Sequence, residues 1–98
     1  MSLTEAQRKH LRRLGHDRNP IVLVGQAGIG PNLVAELDRA LHDHELVKVR
    51  ARVGDRGERD AILAELARAT RSELVQRIGH VALYYRRNQE KPGILLPD

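Results

Sequence analysis

The sequence predicts an α/β (α+β) fold: one domain with elements in the order α-β-α-β-α-β-β. Three observations predict it. The spacing of apolar residues switches repeatedly between a helical period and a period of two. Several of the switches fall at a glycine, proline or capping residue. The chain is 98 residues long and 41% hydrophobic, enough to bury roughly two thirds of its unfolded surface around a single core. Residues 1–98 are therefore read as one unit, with 87–98 as an extended C-terminal tail.

The first helix covers Ser2 to His16. Ser2 with Glu5, or Thr4 with Gln7, supplies a capping box, and Leu3, Gln7, Leu11 and Leu14 recur near helical spacing. Arg8 with Arg12 and Lys9 with Arg13 are i,i+4 pairs. With His16 they form a basic stripe opposite the leucines. After a turn-rich connection, Ile21-Val22-Leu23-Val24 is short, β-branched and apolar, as expected of a central strand buried on both faces. The run Gly25 to Gly30 follows it. Pro31 then opens a second helix whose apolar face is Leu33, Val34, Leu37, Ala40 and Leu41, ending near His42 to His44.

From Glu45 the period becomes two. Val47, Val49 and Ala51 alternate with Lys48, Arg50 and Arg52, so this strand has one apolar and one strongly basic face. Asp55 with Glu58 signals the start of a third helix with Ile62, Leu66 and Ala69 as its core stripe. Leu74 to Ile78 and Val81 to Tyr85, separated by Gly79-His80, form a hairpin. The tail from Arg86 docks in part through Ile94, Leu95 and Leu96.

Composition removes several function classes. Cysteine is absent, which excludes disulfides, thiolate metal sites and cysteine nucleophiles. No run of about 18 apolar residues is present to span a bilayer, and Met1 to Glu5 does not resemble a secretory leader. The expected location is the cytoplasm and the expected state a monomer. Lys and Arg number 17 against 13 acids, a net charge of +4, and the pI is near 10.1, which points to a polyanionic partner. Only Tyr84 and Tyr85 are aromatic, and adjacent residues on a strand point to opposite faces. Shape and phosphate contacts should therefore outweigh stacking on aromatic rings.

Gly25-x-x-Gly28, with Gly30 beyond it, lies between a strand and a helix N-terminus. Glycines there let the backbone approach phosphate, and unpaired amides point at the anion. No Lys-Ser/Thr follows and the Gly-x-Gly-x-x-Gly spacing is absent, so ATP and NAD are disfavoured. His42-Asp43-His44-Glu45 lacks the spacing of a zinc helix, since neighbours on a helix diverge by about 100°. No metal or other cofactor is expected. Neither Ser2 nor Ser72 stands in a nucleophile elbow, and no constellation asks for an enzyme.

These residues resemble a known family. Gly25 to Arg50, preceded by Pro20 to Val24 and followed by Ile78-Gly79 and Leu83 to Arg86, closely resembles the CRM domain (chloroplast RNA splicing and ribosome maturation). The glycine loop joined at fixed distance to His44-Glu45-Leu46-Val47-Lys48-Val49 is its most specific part. The short form is similar to the bacterial YhbY-type protein, associated with precursors of the large ribosomal subunit. The resemblance implies a four-stranded mixed sheet packed with helices, like the C-terminal domain of translation initiation factor three. It also implies RNA binding through a KH-like Gly-x-x-Gly loop, here Gly25, Gln26, Ala27 and Gly28, and through Lys48 and Arg50 on the following strand. In KH-type loops an inner position is often basic, whereas here the pair is Gln26-Ala27. The charge must then come from Lys9, Arg12 and Arg13, from Lys48, Arg50 and Arg52, and from Arg86 and Arg87. A carboxylate at position 28 should weaken binding without unfolding the domain.

The expected function is thus RNA binding without catalysis, with large-subunit ribosomal RNA or a pre-50S particle as partner. A basic module that docks on acidic protein partners is the alternative. A third reading, a small nucleotide-dependent enzyme, requires measurable mononucleotide binding.

Overall fold

The computed structural model describes residues 2–98. Helix α1 runs Glu5–Gly15, and of the two possible capping boxes it uses Thr4 with Gln7. The Gln7 amide donates to Thr4 Oγ1 at 3.1 Å and the Thr4 amide to Gln7 Oε1 at 3.0 Å, so two otherwise open donors are satisfied reciprocally. The last helical residue, Gly15, packs closely on the sheet. A Cβ there would lie 2.7 Å from Leu83 Cδ2, so a larger residue would force the Leu83 side chain or the end of α1 to shift.

The other elements are β1 (Pro20–Val24), α2 (Pro31–His44), β2 (Leu46–Ala51), α3 (Arg56–Thr70), β3 (Glu73–Ile78) and β4 (Val81–Tyr85). They build a four-stranded mixed sheet in the order β1-β2-β4-β3. The crossover through α2 makes β1 and β2 parallel. The hairpin makes β3 and β4 antiparallel and inserts β4 beside β2. Val22, Val24, Val47, Val49, Ala82 and Tyr84 pack on one face against Leu37 and Leu41 of α2 and Leu63 and Leu66 of α3. On the other face Leu46, Val75, Leu83 and Tyr85 pack against Leu3 and Leu11, with Ile94 and Leu96 of the tail beside them. Tyr84 and Tyr85 thus enter opposite cores, and both are buried.

Four sequence expectations need correction. The first strand is not central: β1 is an edge strand, with Ile21 51% and Leu23 56% exposed. Val22 and Val24 meet the two-helix face, whereas α1 covers only the far half of the opposite face. Leu14 is exposed, because the close contact of α1 with the sheet is made by Gly15. Ala69 is also exposed, and the inner stripe of α3 is Arg59, Leu63, Leu66 and Thr70. In the tail, Leu95 is exposed while its two neighbours pack inward.

Glu45 joins the tail to the body. It follows α2 with φ +62° and is buried. Its carboxylate accepts the amides of Asn88 at 2.7 Å and of Gly93 and Ile94 at 2.8 Å. A charged acceptor for three backbone donors is a strong local tie.

Candidate nucleic-acid interface

The strand-to-helix loop is built around a tight turn in which the Gly28 amide donates to the Gly25 carbonyl at 3.1 Å. Gly28 has φ +79°, a left-handed conformation that glycine adopts without steric cost. The expectation that a carboxylate at position 28 tests charge alone therefore fails, because Gly28→Asp would also strain the turn. Gly25 has open space around it and Ala27 is exposed, so these positions separate charge from folding. Helix α2 starts at Pro31 with Gly30 as its cap and no side-chain cap hydrogen bond. Proline has no N–H, so helix geometry leaves the amides of Asn32 and Leu33 as the open donors at this positive dipole end.

Sheet pairing brings two other segments to this turn. The Arg52 amide donates to the Val24 carbonyl at 2.7 Å, and the Ala51 amide to the His80 carbonyl at 2.7 Å. Gln26, Arg50, Arg52 and His80 consequently line one depression of about 300 Å³. A larger hollow of about 630 Å³ lies on the α1 side of the sheet, lined by Arg12, Arg13, His16, Lys48 and Gln76 among others. Lys48 and Arg50 are two residues apart on the same face of β2, so the two hollows adjoin along that strand.

The cations differ in what already neutralises them. Arg8 lies 3.7 Å from Glu73 and Arg12 2.9 Å from Glu5. The Arg12 guanidinium, by hydrogen bond and by charge, holds the Glu5 carboxyl below the usual range. Lys48 Nζ sits 3.5 Å from the His16 carbonyl. Lys9, Arg13, Arg50 and Arg52 form no ion pair among the described residues. The structure therefore gathers Gly25, Gln26, Ala27 and Gly28 with Arg50 and Arg52, and beside them Lys48, Arg12 and Arg13.

Lys9 and Arg86 stand apart. Lys9 is exposed on α1 and lines neither hollow. Arg86 lies beyond the opposite end of β4, where it donates to the Asp38 carboxylate at 2.6 Å and to the carbonyls of Thr70 and Asp38 at 2.8 and 3.0 Å. His80 escaped the sequence reading because it stood there only as a turn residue. Its place beside Arg50 follows from the pairing of β4 with β2.

Fold and site together define a small α+β domain that presents a glycine turn, an uncapped helix start and unpaired cations at one end of a mixed sheet. The chain belongs to the CRS1 / YhbY (CRM) domain family, whose profile matches residues 3–86. It is 46% identical over 88 residues to a probable RNA-binding protein of Pseudomonas aeruginosa, covering 90% of this chain and 85% of that one. An RNA-binding protein of Haemophilus influenzae is 36% identical over 89 residues, with 91% and 90% of the two chains covered. The fold matches the solution structure of a Staphylococcus aureus protein described as a candidate RNA binding protein. Its TM-score is 0.83 at 38% identity, over 98% of this chain and 100% of that one. No helix among the described residues is long and apolar enough to cross a membrane.

Proposed function

We propose that this chain binds structured RNA without catalysis. In this reading phosphates sit at the Gly25–Gly28 turn and along Arg50, Arg52, Lys48, Arg12 and Arg13. The observation that carries it is the meeting of the turn, the open amides of α2 and the unpaired Arg50 and Arg52 at one end of the sheet. Backbone donors supply geometry there and the arginines supply charge, which is what a phosphate needs and what the uncharged Gln26-Ala27 pair lacks alone. The names of the relatives support RNA as the polyanion. Large-subunit ribosomal RNA or a pre-50S particle is the proposed target, on the likeness to the YhbY-type form, with the monomer acting in the cytoplasm. Lys9 adds long-range attraction, and Arg86 serves the fold more than the ligand.

The test is equilibrium binding to a large-subunit ribosomal RNA fragment over a salt series, with matched duplex DNA and ATP as competitors. Preferential RNA binding that strengthens as salt falls and ignores ATP is expected, with a log–log slope of about 0.7 to 0.9 per phosphate neutralised. Ala27→Glu should lower affinity severalfold while melting at the wild-type temperature. Equal affinity for DNA would reduce the site to a general polyanion surface, and unaltered binding by Ala27→Glu would remove the turn from it.

A further inference from the structure

The α1 side of the sheet is only half covered. Beyond Gly15, a row of side chains in register crosses all four strands: Leu23 opposite Arg50, Arg50 opposite Val81, and Val81 opposite Ile78. With strands about 4.8 Å apart the row spans about 14 Å. Leu23 is 56% and Ile78 67% exposed. Single exposed aliphatic residues are ordinary, but here they form one floor with a cation at its centre. That floor adjoins the hollow whose wall is Arg12, Arg13 and Lys48.

We infer that this open half of the sheet seats unpaired nucleobases, next to the phosphates proposed at the glycine turn. The inference rests on that reading and adds the class of RNA recognised. A ligand for this surface must combine flat apolar faces with closely repeated negative charge. Nucleotides do so: bases lie on Leu23, Val81 and Ile78, the Arg50 guanidinium stacks on a base plane, and the phosphates reach the cationic wall. Paired RNA hides its base faces and meets only the wall. An acidic amphipathic helix fits less well, because its apolar face would bury Arg50 without a stacking partner.

Three RNAs test this: a blunt hairpin, the same hairpin with an unpaired extension, and the hairpin with an abasic extension that keeps the phosphates. Wild type should prefer the natural over the abasic extension by about tenfold, in the range that base stacking supplies in other single-strand binders. Leu23→Thr with Ile78→Thr, both exposed and β-branched after substitution, should lose most of that preference. Its affinity for the blunt hairpin and its salt slope should stay unchanged. Arg50→Lys should lose part of the preference with the slope unchanged, since lysine keeps the charge and lacks the plane. Equal binding of natural and abasic extensions by wild type would overturn the inference while leaving RNA binding intact; failure to bind any of the three would remove both. If the double variant kept its RNA preference but lost affinity for an acidic amphipathic peptide, the floor would be a protein seat instead.

Discussion

Arg50 lies on β2 and Arg86 just beyond the end of the neighbouring strand β4, yet their surroundings differ. Arg86 itself is answered: its guanidinium bridges Asp38 and the Thr70 carbonyl, its amide donates to the Glu45 carbonyl at 2.9 Å, and Glu45 holds the tail. At the Arg50 end, Arg50 and Arg52 form no ion pair among the described residues, and the start of α2 has no side-chain cap. Positive charge alone does not mark a binding residue. What distinguishes the two ends is whether the fold has already supplied the counter-charge.

The largest test of this contrast is Glu45→Ala. It leaves three tail amides without their acceptor and should cost about 3 kcal/mol by urea unfolding. A loss under about 0.5 kcal/mol, the range of ordinary surface substitutions, would show that the closed end is not a structural tie. Arg50→Glu with Arg52→Glu comes next. RNA affinity should fall about 30-fold and the salt slope flatten by roughly 1.4 to 1.8, as two phosphate contacts are lost. Folding stability should stay within about 0.5 kcal/mol of wild type.

Arg86→Ala should do the reverse, costing about 1 to 2 kcal/mol of stability for its lost charged hydrogen bonds while the slope of RNA binding stays put. A flattened slope would move Arg86 into the interface and blur the two ends. The smallest effects compare the two faces of β4. The Tyr84 hydroxyl donates to the Leu63 carbonyl at 2.7 Å, whereas the buried Tyr85 hydroxyl has no protein partner among the described residues. Tyr84→Phe should cost about 1 kcal/mol and Tyr85→Phe close to nothing. Burial raises both phenols above their usual pKa, Tyr84 the more strongly and Tyr85 with help from Glu45. Folded pKa values above the unfolded ones mean that stability is fully present below about pH 10 and falls as pH rises beyond it. Each tyrosine contributes up to about 1.4 kcal/mol per pH unit. Melting at pH 8 and 11 reads this out, with a shallower fall in Tyr84→Phe.

The candidate site was legible in part. The glycine turn, the proline start of α2 and the basic alternation of Lys48, Arg50 and Arg52 are local patterns, and each lies where its spacing placed it. Their meeting with His80, and the separation of Arg86 from them, depend on β4 lying against β2 and were not legible. Ile21 and Leu23 show the same limit. An apolar run reads as a buried strand, but exposure at the edge depends on which elements cover it.

By itself the sequence determined the seven elements, the starts of α2 at Pro31 and of α3 after Asp55, and the two-faced character of β2, because helical and strand periods and capping hydrogen bonds are set by residues within a few positions of one another. Only the tertiary structure decided the strand order, the half-open sheet and which arginines keep their charge unopposed. Those outcomes turn on contacts between residues distant in the chain, such as Gly15 on Leu83 and Arg86 on Asp38, that no local period encodes.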